Sequence, residues 1–333
     1  MTNTNTTLRE SSTMSVNTIQ QLADQIRRNV SQVIVGKEQI VDQLIIALIT
    51  SGHVLLEDVP GTGKTLLAKS LARSIDCGFK RVQFTPDLLP SDLSGINFYN
   101  QKSGEFEFRP GPLFTNLLLA DEINRATPRT QSSLLECMEE RQVSIDGTTH
   151  VLQPPFMVIA TQNPIEQQGT FPLPEAQLDR FLFKLNMGYP TTEESISILS
   201  RFKESKPLES LLPVADPSAI AEAQREVVKI TVSEDVLRYI VEIAERTRKQ
   251  EEVATGVSPR GMQALMGASQ ARAALSGRGY VTPDDVKQLA VPALAHRLVL
   301  KSSARARGDR GAAERLIERV LSSVEVPAEP LRS

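Results

Sequence analysis

The chain has 333 residues, of which 40% are hydrophobic and 23% charged. That composition predicts a soluble globular protein, and the length predicts two domains, because a single core rarely grows past about 250–300 residues. The 37 basic and 40 acidic residues leave a formal net charge of −3, which speaks against a protein that coats nucleic acid.

The first 15 residues are rich in Thr, Asn and Ser and read as a disordered tail with no apolar signal segment. From Asn17 the spacing of Ile19, Leu22, Ile26 and Val30 predicts a helix. A second helix is expected over 37–50, where Asp42 and Gln43 interrupt an apolar run far short of the roughly 20 residues a membrane span needs. Five short apolar runs then read as strands: 53–56, 81–84, 116–120, 156–161 and 181–185. Helical segments near 64–76 and 129–141 separate them, so the fold class is α/β with strands buried on both faces. Gln142 to Leu152 reads as a hairpin turned at Asp146-Gly147.

After Gly188-Tyr-Pro190 the texture changes. Thr191 and Glu194 form a capping box, and helices are expected near 217–227, 233–249, 259–275 and 283–296, with no strand. The expected domains are a core at 16–190, with an insertion at about 85–113, a smaller all-helical domain at 191–322, and a loose tail at 323–333. Cys77 and Cys137 make neither a disulfide framework nor a zinc cluster, which fits a reducing cytoplasm.

The chemistry-bearing residues follow the strands. The first strand runs into Glu57-Asp-Val-Pro-Gly-Thr-Gly-Lys-Thr65 and then an apolar helix. This is nearly a P-loop in its proper strand–loop–helix frame, with Asp58 in place of the first glycine. Backbone N–H groups of Val59, Pro60 to Gly63 and Leu66 would surround a phosphate chain, except at Pro60, which has none. Lys64 would reach the β- and γ-phosphates, and the hydroxyl of Thr65 would ligate Mg²⁺. Thr62 belongs to the same cradle. The third strand ends in Asp121-Glu122, positions suited to holding Mg²⁺ and to polarising an attacking water. Alone, such a pair also reads as an acidic helix cap. Asn163, at the end of the next strand, would orient the water. Arg180 precedes the fifth strand and suits a transition-state cation from a neighbouring subunit, although Asp179 and Arg180 also read as a surface pair. Ser258 caps a helix with Pro259 first, which puts Arg260 in a first turn where the helix dipole disfavours it. Such a cation would meet an anion, here the γ-phosphate from the lid.

Taken together, Glu57–Thr65, Ala120–Ala126, Ala160–Pro164, Glu175–Phe181 and Ser258–Gly261 resemble the AAA+ ATPases. Phe84–Gly95, Phe108–Phe114 and Leu298–Leu321 resemble the MoxR branch of that group. The resemblance implies a five-stranded parallel sheet in an αβα P-loop core, a helical lid, ATP and Mg²⁺ as cofactors, and a hexameric ring. ATP would sit between core and lid, with Val35 and Gly36 lining adenine and Arg180 coming from the next copy. It further implies a chaperone-like remodeller of partner proteins, among them proteins with a von Willebrand factor A domain, whose metal site it would help mature. The hairpin at 142–152 and the insertion are the expected client surface. Competing readings are a nucleic-acid-acting ring ATPase, a chelatase-like subunit and a nucleotide-gated scaffold. Arg297 to Arg319, with seven bases and three acids, reads as a solvated helix face.

Overall fold

The computed structural model describes residues 14–57, 59, 61–163, 169–204, 206–301 and 311–327. Most of the expected N-terminal tail, Asp58, Pro60, the Ala304–Gly308 stretch and residues 328–333 lie outside the described residues.

The first half of the chain contains α1 (Val16–Ser31), α2 (Glu38–Ile49), β1 (Val54–Glu57), α3 (Lys64–Ser74), β2 (Phe79–Gln83), α4 (Pro90–Ser94), β3 (Gly95–Asn100), β4 (Glu105–Pro110) and β5 (Leu117–Asp121). Next come α5 (Pro128–Glu140), β6 (Gln142–Ile145), β7 (Thr148–Val151), β8 (Met157–Gln162), α6 (Glu175–Leu178) and β9 (Phe183–Leu185). The rest is α7 (Thr192–Glu204), α8 (Pro207–Ser210), α9 (Pro217–Val227), α10 (Glu234–Arg248), β10 (Val253–Thr255), α11 (Pro259–Leu275), α12 (Pro283–Leu294), β11 (Val299–Leu300) and α13 (Ala312–Ser323).

Five strands form one parallel sheet in the order β2-β5-β8-β1-β9. Successive residues go to opposite faces. Val54, Leu56, Leu117, Leu119 and Ile159 join one apolar cluster, whereas Leu55, Leu118, Ala120, Val158 and Ala160 join another. Helix α3 covers the first face through Leu67 and Leu71, and α5 covers the second through Leu134, Leu135 and Met138. A sheet apolar on both sides needs this double cover. The first cluster continues through α1, α2 and the C-terminal helices, taking in Ile26, Leu44, Ile220, Ile243, Leu265 and Ile317. The C-terminal helices and the two N-terminal helices therefore share one core.

Three features differ from the sequence-based expectation. The second strand ends at Gln83, and Phe84 turns into the second cluster, fully buried. The fifth sheet strand is only Phe183–Leu185, because the carbonyl of Phe181 is taken by His296 and Arg297 instead of a strand neighbour. The C-terminal region is not purely helical: β10 and β11 pair antiparallel, and strands of two or three residues are too short to show an alternating pattern. The insertion folds as α4 and the β3–β4 hairpin. No helix among the described residues is long and apolar enough to cross a membrane.

Because the sheet is parallel, Glu57, Gln83, Asp121 and Gln162 line up at its carboxyl edge. Open α/β sheets bind ligands there.

Candidate active site

Between β1 and α3 the backbone turns through Gly61 (φ +86°) and Gly63 (φ +92°), conformations that favour glycine. A Cβ at either position would meet nothing within 4 Å, so the face of the loop is open. Gly63 caps α3 without a side chain, and no acid stands in the first turn, so nothing of the helix's own competes with an incoming anion. Lys64 Nζ donates to the carbonyl of Val59 at 2.8 Å, and Thr62 Oγ1 donates to the same oxygen at 3.3 Å. Thr65 follows on the first turn of α3, and Leu66 is half-buried against the first cluster.

Two strands away, β5 delivers Asp121 and Glu122, with Asn163 beyond the end of β8 between them and the loop. Asp121 is 9% exposed and Asn163 8%. Glu122 is held at φ +56°, a left-handed conformation that costs a non-glycine residue about 1–3 kcal/mol and clusters at functional sites. Thr161 locks the pair: its hydroxyl donates to Asp121 Oδ1 at 2.6 Å and accepts from the Glu122 N–H at 2.8 Å. Arg81 on β2 donates to Asp121 Oδ2 at 2.5 and 3.1 Å. Gln83 Nε2 donates to Glu122 Oε2 at 3.0 Å, and Arg125 Nε lies 3.0 Å from the same oxygen. Hydroxyl and carboxylate oxygens from Thr65 and Asp121 are hard donors, which suit Mg²⁺.

Glu57 extends the polar edge, accepting from Gln162 Nε2 at 2.6 Å and Lys184 Nζ at 2.7 Å. Glu57, Lys184, Met187 and Gly36 border a cavity of about 790 Å³; Val35 does not line it. Gly36 has φ +68°, a conformation that favours glycine, and an added Cβ there would also displace the Glu194 side chain. The expected capping box is present, with Glu194 N–H donating to Thr191 Oγ1 and Thr191 N–H to Glu194 Oε2.

The two remaining arginines stand elsewhere. Arg180 Nε lies 3.0 Å from Glu139 Oε2, and Arg260 NH1 lies 2.8 Å from Glu139 Oε1. With Gly52, Arg141 and Arg297 they border a cavity of about 200 Å³ at the amino ends of the strands. Four residues of β1 separate this place from the P-loop, about 13 Å at the usual strand rise. This corrects the expectation that Arg260 touches the γ-phosphate of its own chain from the lid. The helix start itself is as read, since Ser258 Oγ accepts from the Gly261 N–H at 3.1 Å; α11 simply docks at the other end of the sheet. Asp179 does not pair with Arg180 on the surface but with Arg297. Arg297 does not lie on the solvated face expected from the sequence: its side chain is 2% exposed.

Beside this part-exposed cluster His53 is buried. Burial, and then the charge of Arg141, push the His53 imidazole down to about 3. Its Nδ1 accepts from the Val158 N–H at 2.9 Å and its Nε2 donates to the Met138 carbonyl at 3.0 Å, a structural role. Cys77 and Cys137 are both raised to about 12 by burial, so neither is a thiolate near neutrality. Sequence reasoning missed Arg81, Gln83, Thr161, Glu139 and Arg297. Arg81 and Gln83 carry one signal, alternate positions on a strand that pairs with β5 in register with Asp121.

The strand order, the loop before α3 and the acids ending β5 define a P-loop ATPase core of the AAA+ class with a helical lid. Residues 53–183 match the family described as ATPase family associated with various cellular activities (AAA), and residues 245–320 match the AAA lid domain. The chain is 52% identical over 301 residues to the uncharacterized protein YeaC of Bacillus subtilis, spanning 90% of this chain and 93% of that one. It is 44% identical over 308 residues to Chaperone MoxR1 of Mycobacterium tuberculosis, spanning 90% and 80%. A solved structure from Cytophaga hutchinsonii superposes with a TM-score of 0.87 at 38% identity, covering 94% of this chain and 97% of that one. The chain belongs to the MoxR family of AAA+ ATPases.

Proposed function

We propose that the protein hydrolyses ATP with Mg²⁺ in a ring of like copies, each site completed by arginines of the adjacent copy, and that turnover remodels client proteins. One observation carries this reading. Arg180 and Arg260 share Glu139 at the amino ends of the strands, the wrong end for their own P-loop. From there an arginine serves a second copy's nucleotide, as transition-state arginines supplied in trans do. Six is the ring size that the family resemblance implies.

In this reading Lys64 leaves the Val59 carbonyl for the phosphates, and the loop N–H groups hold the chain of phosphates in place. Thr65 and Asp121 hold Mg²⁺, which supplies charge neutralisation at the phosphate oxygens. Asn163 orients the water, and Glu122 takes its proton. Arg180 and Arg260 of the adjacent copy exchange Glu139 for the charge developing on the γ-phosphate. Gly36 and Met187 place adenine in the larger cavity.

The client surface is the pair of hairpins. Asn97 Nδ2 donates to Asp146 Oδ2 at 2.8 Å and Phe108 stacks on His150 at 4.2 Å, so the two hairpins act as one platform. It presents Phe106, 73% exposed, and Tyr99, 55% exposed. We take clients to be other chains, von Willebrand factor A domain proteins among them, with maturation of their metal site as the outcome. The name of the Mycobacterium tuberculosis relative, a chaperone, supports this. The unpaired cysteines suit a reducing compartment, and we place the protein in the cytoplasm.

The experiment is a mixture of two inactive variants. Arg180→Ala has an intact nucleotide site and no finger; Glu122→Gln has a finger and no base. Mixed rings regain turnover, because Glu122→Gln copies complete the sites of their Arg180→Ala neighbours. An inactive mixture overturns the arrangement in trans. Turnover by Glu122→Gln alone at the parental rate would remove Glu122 from its role as base. Retention of a von Willebrand factor A domain protein by ATP-loaded Glu122→Gln tests the client.

A further inference from the structure

The segment that carries Arg180 is gripped from the lid by a residue that no motif marks. Arg297 ends the 3₁₀ turn that follows α12. Its NH1 donates to the carbonyl of Asp179 at 2.6 Å and pairs with the Asp179 carboxylate. Its NH2 donates to the carbonyl of Phe181 at 2.8 Å. Its Nε donates to the Ala293 carbonyl at 2.7 Å, which ties the guanidinium to its own helix. Neighbouring His296 donates from Nε2 to the Phe181 carbonyl at 3.0 Å. Ser258, the cap of α11, donates from Oγ to Asp179 Oδ2 at 3.3 Å.

Both carbonyls flanking Arg180 therefore end on one guanidinium. Packing alone does not call for this arrangement. A buried ion pair gains little over a well-packed apolar pair of similar volume, and burial already lowers the Arg297 pKa against the opposing pull of Asp179. A planar fork that meets two main-chain oxygens and a carboxylate fixes direction as well as distance, which a lysine ammonium does not. The chain it fixes is irregular, a single turn after α6 and before β9; the Leu182 N–H reaches the His53 carbonyl at 2.8 Å, but the Phe181 carbonyl goes to the lid.

We infer that Arg297 is a positioning residue for catalysis: it holds the main chain on both sides of Arg180, so the aim of that arginine follows the lid. The inference rests on the reading of Arg180 as the finger offered to the adjacent copy. Arg297 touches neither nucleotide nor reacting atoms. Its effect appears in the neighbour's turnover and not in its own chain's binding of ATP.

The test uses Arg297→Lys and, because a buried arginine can be needed for folding, Asp179→Asn as a second variant of nearly unchanged shape. Each is measured as the full chain for nucleotide affinity, ring size, kcat and KM. We expect kcat to fall about 100-fold, the order of loss from an ångström of misplacement, with KM and nucleotide affinity within about twofold. In the Arg180→Ala background neither change lowers kcat further, since groups acting as a unit are not additive. Mixing either variant with Glu122→Gln copies restores turnover. A kcat near the parental value, a rise in KM in place of the fall in kcat, or a loss additive with Arg180→Ala would each overturn the inference. If Arg180→Ala is rescued by mixing and the Arg297→Lys and Asp179→Asn variants are not, Arg297 is merely structural and the finger reading stands. If Arg180→Ala is not rescued either, the finger reading falls and this inference falls with it.

Discussion

Arg81 meets Asp121 at the carboxyl ends of the strands, and Arg297 meets Asp179 at their amino ends. The side chain of Arg81 is 46% exposed, that of Arg297 2%. Arg81 makes its contacts to side chains, Asp121 and Gln83, whereas Arg297 also spans the main chain of its partner segment. A half-exposed guanidinium held only by side chains exchanges readily; one buried on main-chain carbonyls does not. In the proposed reading the carboxyl edge rearranges when a ligand arrives, while Arg297 at the amino edge stays in place.

The sharpest division between the two edges concerns what each removes when mutated. Lys64→Ala should abolish ATP binding. Arg180→Ala should leave binding intact and lower turnover roughly 10³-fold or more. A fluorescent nucleotide and a steady-state ATPase assay separate the two. If Arg180→Ala also loses binding, the edges do not divide the work.

The carboxyl edge was legible in the sequence because its residues are contiguous. Gly61, Gly63, Lys64 and Thr65 form one run, Asp121 and Glu122 another, and each sits where an apolar strand ends. Thr161 escaped because a hydroxyl within a strand carries no pattern of its own. The amino edge was legible only as single arginines. Arg297 is 118 positions from Asp179, and Arg260 is 121 positions from Glu139. Local periodicity sees neither partner. Which end of the sheet α11 meets is decided by the shared core of α1, α2 and the lid, a packing outcome with no local signature.

The burial of two histidines gives the next effect. His53 and His296 are both pushed down to about 3 by burial first and then by an adjacent arginine, Arg141 and Arg297 respectively. In the unfolded chain each titrates near 6.5. Between those values the unfolded state binds protons that the folded state does not. Stability is therefore complete above about pH 6.5 and falls as the pH drops through that window, by up to about 1.4 kcal/mol per pH unit for each histidine. Denaturant midpoints between pH 7 and pH 5 measure the slope. His53→Gln should roughly halve it, since His296 remains; an unchanged slope would show that His53 is not a proton acceptor.

At the carboxyl edge, Thr161→Val tests how far the acid pair depends on one hydroxyl. The substitution leaves the buried Asp121 Oδ1 and the Glu122 N–H without their partner. Such a loss costs about 1–3 kcal/mol. A lower melting temperature with a reduced kcat is expected, and Thr161→Ser should recover most of both. Should Thr161→Ser fail as fully as Thr161→Val, the methyl group and not the hydroxyl is what matters there.

The smallest effect belongs to the pair whose arginine is half-exposed. Asp121 has Thr161 on one oxygen and Arg81 on the other. If Asp121 takes up Mg²⁺ or its waters, as proposed, it does so in competition with Arg81. Half-exposed ion pairs contribute about 0.2–1 kcal/mol, so Arg81→Gln should lower the Mg²⁺ concentration needed for nucleotide binding by less than about fivefold. Titrating nucleotide binding against Mg²⁺ in the wild-type and Arg81→Gln chains reads the shift directly, without turnover. A shift in the opposite direction would mean that Arg81 assists the bound state, and that the carboxyl edge also contains a fixed cation. The same chemistry buried at the other edge should give, with Arg297→Lys, the larger and catalytic effect. Burial and main-chain contact, not the identity of the ion pair, decide which arginine is exchangeable.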